Sequence, residues 1–188
     1  MEQGEIMLEK SVWKTLPVCN ANSMNELMAI LKEDGFVLGW NAGMVCKAVA
    51  GSFLLPRKPV RIAILSREKL GLPINATERE FFQKAEELGY GLCSVEVGLL
   101  ARLAYGHEEQ LNNYRANLWR IYIAMQPVEV EDGKSLILRI SCGTMGSRLD
   151  AVECRMDEEW DPKEKNRRDL EWIEKNDKWI FVIKEEVK

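Results

Sequence analysis

Cys93 and His107 are close enough in sequence to form a thiol–imidazole pair, and His107 is the single histidine in 188 residues. Nucleophilic catalysis would require the two in hydrogen-bond contact, with a third group orienting the base. A helical turn beginning just after Cys93 could lower its pKa. The plainer reading is preferred: a buried cysteine, and a loop histidine followed by solvated Glu108 and Glu109. Glu96, Asp150 and Glu153 are the candidate catalytic carboxylates. Glu153-Cys154-Arg155 echoes the acidic-x-basic order of metal-dependent nucleases, in which clustered carboxylates hold a divalent cation. Asp150 and Glu153 are three positions apart, so a regular strand sends them to opposite faces. Asp132 is accounted for by a turn. No metal and no cofactor is therefore expected.

Glu96 and Arg102 lie among apolar neighbours, where a guanidinium needs a carboxylate. The expectation is a buried Arg102 forming a fork-shaped pair with Glu96, and binding of an anion or a partner is the functional alternative. Lys163, Lys165, Arg167 and Arg168 form the densest basic cluster, near Trp160 and Trp172. Phosphate binding would use cations on one face with aromatics for stacking. Glu164, Asp169, Glu171 and Glu174 interleave with them, which favours a solvated, salt-bridged helix. Trp160 and Trp172 read equally as cover for a sheet edge and as partner-binding anchors. Gly143-Thr144-Met145-Gly146 lacks the Lys-Ser/Thr of a phosphate-binding loop.

The elements that must position these residues are marked by their caps and turns. Trp13 to Cys19 suits a short edge strand, because Pro17 cannot donate to a ladder. Ser23 with Glu26, and Thr77 with Glu80, have capping-box spacing, and Gly35 and Gly89 supply the helix stops. A second helix is expected over Phe36 to Ala50, and a buried strand over Val60 to Leu65. Cys93 to Tyr105 is compatible with either helix or strand. Asp132-Gly133 suits a two-residue hairpin turn, which would pair Met125 with Ile140 and Ile123 with Cys142. Arg148 to Cys154 continues a meander, and Trp179 to Ile183 is a terminal strand.

Leu92 to Tyr105, followed by W-R-I-Y-I-A-M-Q-P-V-E-V-E-D-G, resembles an uncharacterised bacterial hypothetical-protein group carrying C-x-x-E-V-G-x-x-x-R-L-x-Y. Ser94 and Leu99 stand where prolines are common in that group, and Pro162 to Asn176 is a charged insertion. The resemblance implies an architecture and no activity.

Composition bounds the function. A net charge of −4 and a pI near 5.3 disfavour broad binding to nucleic acid or to a membrane surface, while leaving room for a local basic patch. Nucleic acid is thus not the favoured partner. No run approaches the roughly 20 apolar residues that span a bilayer, and the acidic N-terminus does not read as a secretory signal. Five cysteines, an odd number without a C-x-x-C pair, suggest reduced thiols and a cytoplasmic protein.

The expected fold is α+β, with helices mainly in the N-terminal half packed on a mostly antiparallel sheet that ends in a C-terminal meander. Residues 1–12 read as a flexible N-terminus. Residues 13–188 read as a single α+β domain with a charged surface helix near 162–175. The favoured function is a non-catalytic protein-interaction or accessory module, of the kind carried by mobile genetic elements. The alternative is a small metal-dependent hydrolase or nuclease using clustered carboxylates.

Overall fold

The computed structural model describes residues 11–106, 120–143, 146–158 and 178–185. His107, Trp160, Trp172, the basic cluster at Lys163 to Arg168 and the charged helix expected near 162–175 lie outside these residues, as does the side chain of Cys142. The fold is α+β. Among the described residues the α-helices are α1 (Met24–Glu33), α2 (Trp40–Val49), α3 (Glu78–Glu87) and α4 (Val95–Ala104). The strands are β1 (Lys14–Leu16), β2 (Val37–Leu38), β3 (Val60–Leu65), β4 (Tyr90–Gly91), β5 (Arg120–Ile123), β6 (Val128–Glu129), β7 (Ser135–Gly143), β8 (Gly146–Glu153) and β9 (Trp179–Ile183).

Caps fix the helices as the sequence indicates, with one variation. Thr77 and Glu80 form the full reciprocal box on α3. At α1, Ser23 accepts the Glu26 N–H, but the Glu26 carboxylate reaches past Ser23 to the Asn22 N–H at 2.7 Å. Gly35 and Gly89 end α1 and α3 at positive φ. The segment Phe36 to Ala50 is not all helix. Val37 and Leu38 form β2, parallel to β8, and α2 starts only after Gly39. The ambiguous segment after Cys93 is helix α4, capped by Ser94.

The strands form one sheet in the order β1-β3-β9-β5-β7-β8-β2, with β4 beside β9 and β6 beside β7. β9 departs from a simple meander, since it inserts between β3 and β5, antiparallel to the first and parallel to the second. One face of β9 carries Trp179 and Phe181, which meet Phe81 and Phe82 of α3 edge-on, while Tyr122 of β5 stacks on Trp179 at 4.9 Å. Each such contact contributes about 0.5–1.5 kcal/mol beyond area burial. The opposite face of the sheet lies under α4. Gly98 brings that helix so close that an added Cβ would fall 2.9 Å from Leu138 Cδ1 and 3.4 Å from Ile123 Cγ2.

The hairpin exists, but its register differs from the expectation. Its loop has three residues, Glu131-Asp132-Gly133, closed by Val130 N–H to Lys134 O at 3.0 Å. Gly133 N–H donates to Val130 O at 2.8 Å, with Gly133 at φ 77°. That is the alternative hairpin geometry with a left-handed glycine closing the turn. Val128 therefore opposes Leu136, and further along Ile121, not Met125, opposes Ile140. Three extra residues have been absorbed between these two pairings. The slip falls at Ala124 to Pro127. Pro127 has no N–H for the ladder, and the Ala124 N–H bonds to Ile180 O of β9. Met125 is nonetheless buried, its sulfur 3.4 Å from the Leu138 N–H.

Candidate functional site

The carboxylates singled out by the sequence do not converge. Glu96 is buried in the first turn of α4, where it accepts the Leu54 N–H at 3.2 Å. Asp150 belongs to the sheet face turned away from α4, and Glu153 is exposed at the end of β8, bonded to Arg155 at 3.1 Å. Among the described residues, no group of three or more His, Cys, Asp or Glu side chains could hold a metal ion.

Arg102 is completely buried, but it does not meet Glu96. Its guanidinium donates to the Tyr105 carbonyl and lies 4.4 Å above the Phe36 ring. Six helical positions separate the two residues, about 120° around the axis, so each faces a different neighbour. Cys93 is buried too, with its thiol pushed up to about 12 by loss of hydration and its sulfur 3.4 Å from Ile180 O. Burial, reinforced by the nearby Glu96 charge, raises Cys46 to about 12 as well. Neither is a thiolate near neutral pH.

A different cluster emerges where β5, β7 and β8 run side by side. Register places Arg120, Ser141 and Arg148 in one row across the three strands, with Val37 of β2 at its end. The next row holds Trp179, Tyr122, Arg139 and Asp150. Because side chains alternate along a strand, all of these project from the face opposite α4. Three arginines and one aspartate thus share a surface on a chain whose net charge is −4.

The geometry within the cluster is open. Asp150 Oδ2 is 3.7 Å from Arg148 and 3.9 Å from Arg139, beyond hydrogen-bonding distance for either. Asp150 Oδ1 instead accepts the Ala151 N–H at 3.0 Å. Its carboxylate also lies against Gly39, the N-cap of α2, where a Cβ would overlap it. The Nε atoms of Arg139 and Arg148 are buried without an acceptor. The two side chains remain 19% and 30% exposed.

The sheet edge beside this cluster is apolar. Val37 of β2 is 42% exposed, and Trp40, the first residue of α2, is 85% exposed. Gly39 N–H bonds to Leu149 O at 2.8 Å and the Asn41 side chain, through Nδ2, to Ala151 O at 3.3 Å, so both neighbours of Trp40 are tied to β8. A separate shallow groove of about 240 Å³ runs along α3 between Leu72, Pro73, Ala76, Glu80, Gln83 and Lys84. Its charged groups are already engaged: Lys84 pairs with Glu87, also in the lining, at 3.1 Å, and Glu80 closes the α3 cap with Thr77.

Sequence reasoning passed over Arg120, Arg139, Arg148 and Trp40. The available signal was alternation: Arg139 and Ser141 interleave with Leu138 and Ile140, and Arg148 and Asp150 with Leu149 and Ala151. Folding that hairpin about Gly143–Gly146 would have set Arg139 opposite Asp150. Comparison with protein-family models, curated proteins and solved structures gives no match.

Proposed function

We propose that this protein is a non-catalytic interaction module that docks another protein at the β2 edge of its sheet. The observation carrying this reading is Trp40, which is 85% exposed between two residues that are each bonded to β8, Gly39 by its backbone and Asn41 by its side chain. Tryptophan is enriched among the few residues that dominate binding energy at interfaces. Holding it on an anchored backbone reduces the ordering cost of association. Val37 extends the apolar contact, and the arginines beside it supply a polar border.

The hydrolase alternative draws no support from the geometry, because Glu96 and Asp150 lie on opposite sides of the sheet. A protein partner fits an acidic chain that exposes the Trp40 indole better than nucleic acid does. Among the described residues no helix is long and apolar enough to cross a membrane.

The test is capture from a lysate of the source cells, identification by mass spectrometry, and reconstitution with the purified partner. Trp40→Ala should weaken the reconstituted complex by about 2 kcal/mol or more, the range of an interface hot spot. Leu54→Ala, at a 69% exposed residue next to the α4 side of the fold, should leave it unchanged. Equal affinity for wild type and Trp40→Ala would overturn this reading.

A further inference from the structure

We infer that the partner segment is acidic, and that its carboxylates are received by Arg139 and Arg148 next to the Trp40 edge. This rests on the interaction reading above and names the chemistry of the occupant.

Two guanidiniums on neighbouring strands share one oxygen of a single carboxylate, and its other oxygen is bonded to backbone. Asp150 bonds to the Ala151 N–H and packs against Gly39, leaving 3.7 and 3.9 Å gaps to the arginines. Among the described residues, Arg139 and Arg148 make no hydrogen bond, although each offers five donors. Guanidinium and carboxylate match as two parallel forks, and that match is unmade at both arginines. A second carboxylate would complete it and would balance the net positive charge of Arg139, Arg148 and Asp150.

The same strands show how ordinary packing would have been satisfied. Leu138, Ile140, Leu149 and Ala151, one residue along in each case, are all buried. Their neighbours Arg139 and Arg148 face outward with part of each side chain in solvent. The cluster therefore adds little that the core needs.

Peptide carboxylate is favoured over nucleic-acid phosphate on two grounds. The whole chain carries −4, which repels a polyanion over its length but tolerates a short acidic segment at a local cationic site. Asp150 also leaves a single net positive charge among Arg139, Arg148 and Asp150, which suits one carboxylate better than a run of phosphodiesters that each carry a negative charge. Spacing follows from the register. Val37 opposes Arg148 on the next strand, and Arg139 lies one strand further. Strands are about 4.8 Å apart and an extended peptide advances about 3.3 Å per residue, so an apolar residue at Val37 and Trp40 reaches Arg148 roughly two positions on.

The experiment selects binders to the full-length protein from a displayed library of 12-residue peptides. Fluorescence anisotropy then measures the best sequences, with a 20-nucleotide oligothymidine as competing probe. Enriched peptides should carry an apolar or aromatic residue followed two or three positions later by Asp or Glu. Arg139→Gln with Arg148→Gln should weaken them more than tenfold, and the corresponding lysine pair should recover part of that loss. The fold of each variant is checked by circular dichroism. Recovery of no binder, or of binders without an acidic requirement, overturns the proposal. Binders that depend on Trp40 and ignore the arginine variants leave the interaction reading standing and overturn only the acidic partner. Arginine-dependent binding of oligothymidine in preference to peptide assigns the site to phosphate instead. Arginine-dependent dimerisation in sedimentation analysis assigns it to a second copy of the chain.

Discussion

Strands β7 and β8, of 9 and 8 residues, present two faces made from alternate positions, and the faces follow different rules. Toward α4, Leu138, Ile140, Leu149 and Ala151 are closed over, and helix and sheet approach so closely at Gly98 that an added Cβ would clash. On the opposite face, Arg139, Arg148 and Asp150 stand at intermediate exposure with incomplete pairing. Contacts on the first face explain why the chain folds. The ionic contacts on the second, unlike buried Ile137 beside them, do not contribute comparably, because loosely paired, partly exposed ions contribute about 0–1 kcal/mol. A residue that stability does not require is the better candidate for a role outside the fold.

The sharpest way to test this contrast is to truncate each face. Leu138→Ala should cost about 2–5 kcal/mol in urea unfolding, through lost transfer energy and a residual cavity. Gly98→Val should cost about 1–3 kcal/mol, since the extra atoms must push Leu138 and Ile123 aside. The turn gives a control away from both faces. Gly133→Val should cost about 1–3 kcal/mol, because a β-branched residue is strained at φ 77°. Arg139→Met should change stability by less than about 1 kcal/mol, with hydration partly replacing what little pairing it has. Similar losses for Leu138→Ala and Arg139→Met would remove the distinction between the faces.

Thiol reactivity gives the smallest effect and probes closure of the α4 side. Cys46 and Cys93 are buried, with thiols pushed up to about 12, and Cys154 is buried, whereas Cys19 is partly exposed. In native protein at pH 8, Cys19 should react with a disulfide reagent well before these three. Early labelling of Cys93 would show that the helix-covered face opens readily.

The sequence revealed local grammar better than long-range register. Ser23, Thr77, Gly35 and Gly89 mark helix ends through interactions a few residues long, and all act at the positions expected. The Asp-Gly turn was equally visible. The register beyond it was not, because Ala124 bonds to β9, a strand more than 50 residues away in sequence, and Pro127 breaks the ladder. Glu96 and Arg102 illustrate the same limit: both are buried as expected, yet helix geometry points them apart. The arginine cluster draws on three strands, and its apolar border on a fourth, so no contiguous motif announces it. Trp40 was hidden within an apolar run that reads as core, until β2 divided that run and left the indole at the edge.

The most direct test of the central claim compares stability and binding in one protein, the Arg139→Gln, Arg148→Gln variant. Urea unfolding and titration with the reconstituted partner are measured on the same preparation. The arginine face predicts an unfolding free energy within about 1 kcal/mol of wild type and partner binding weakened more than tenfold. Full-strength binding, or a stability loss comparable to that of Leu138→Ala, would contradict it.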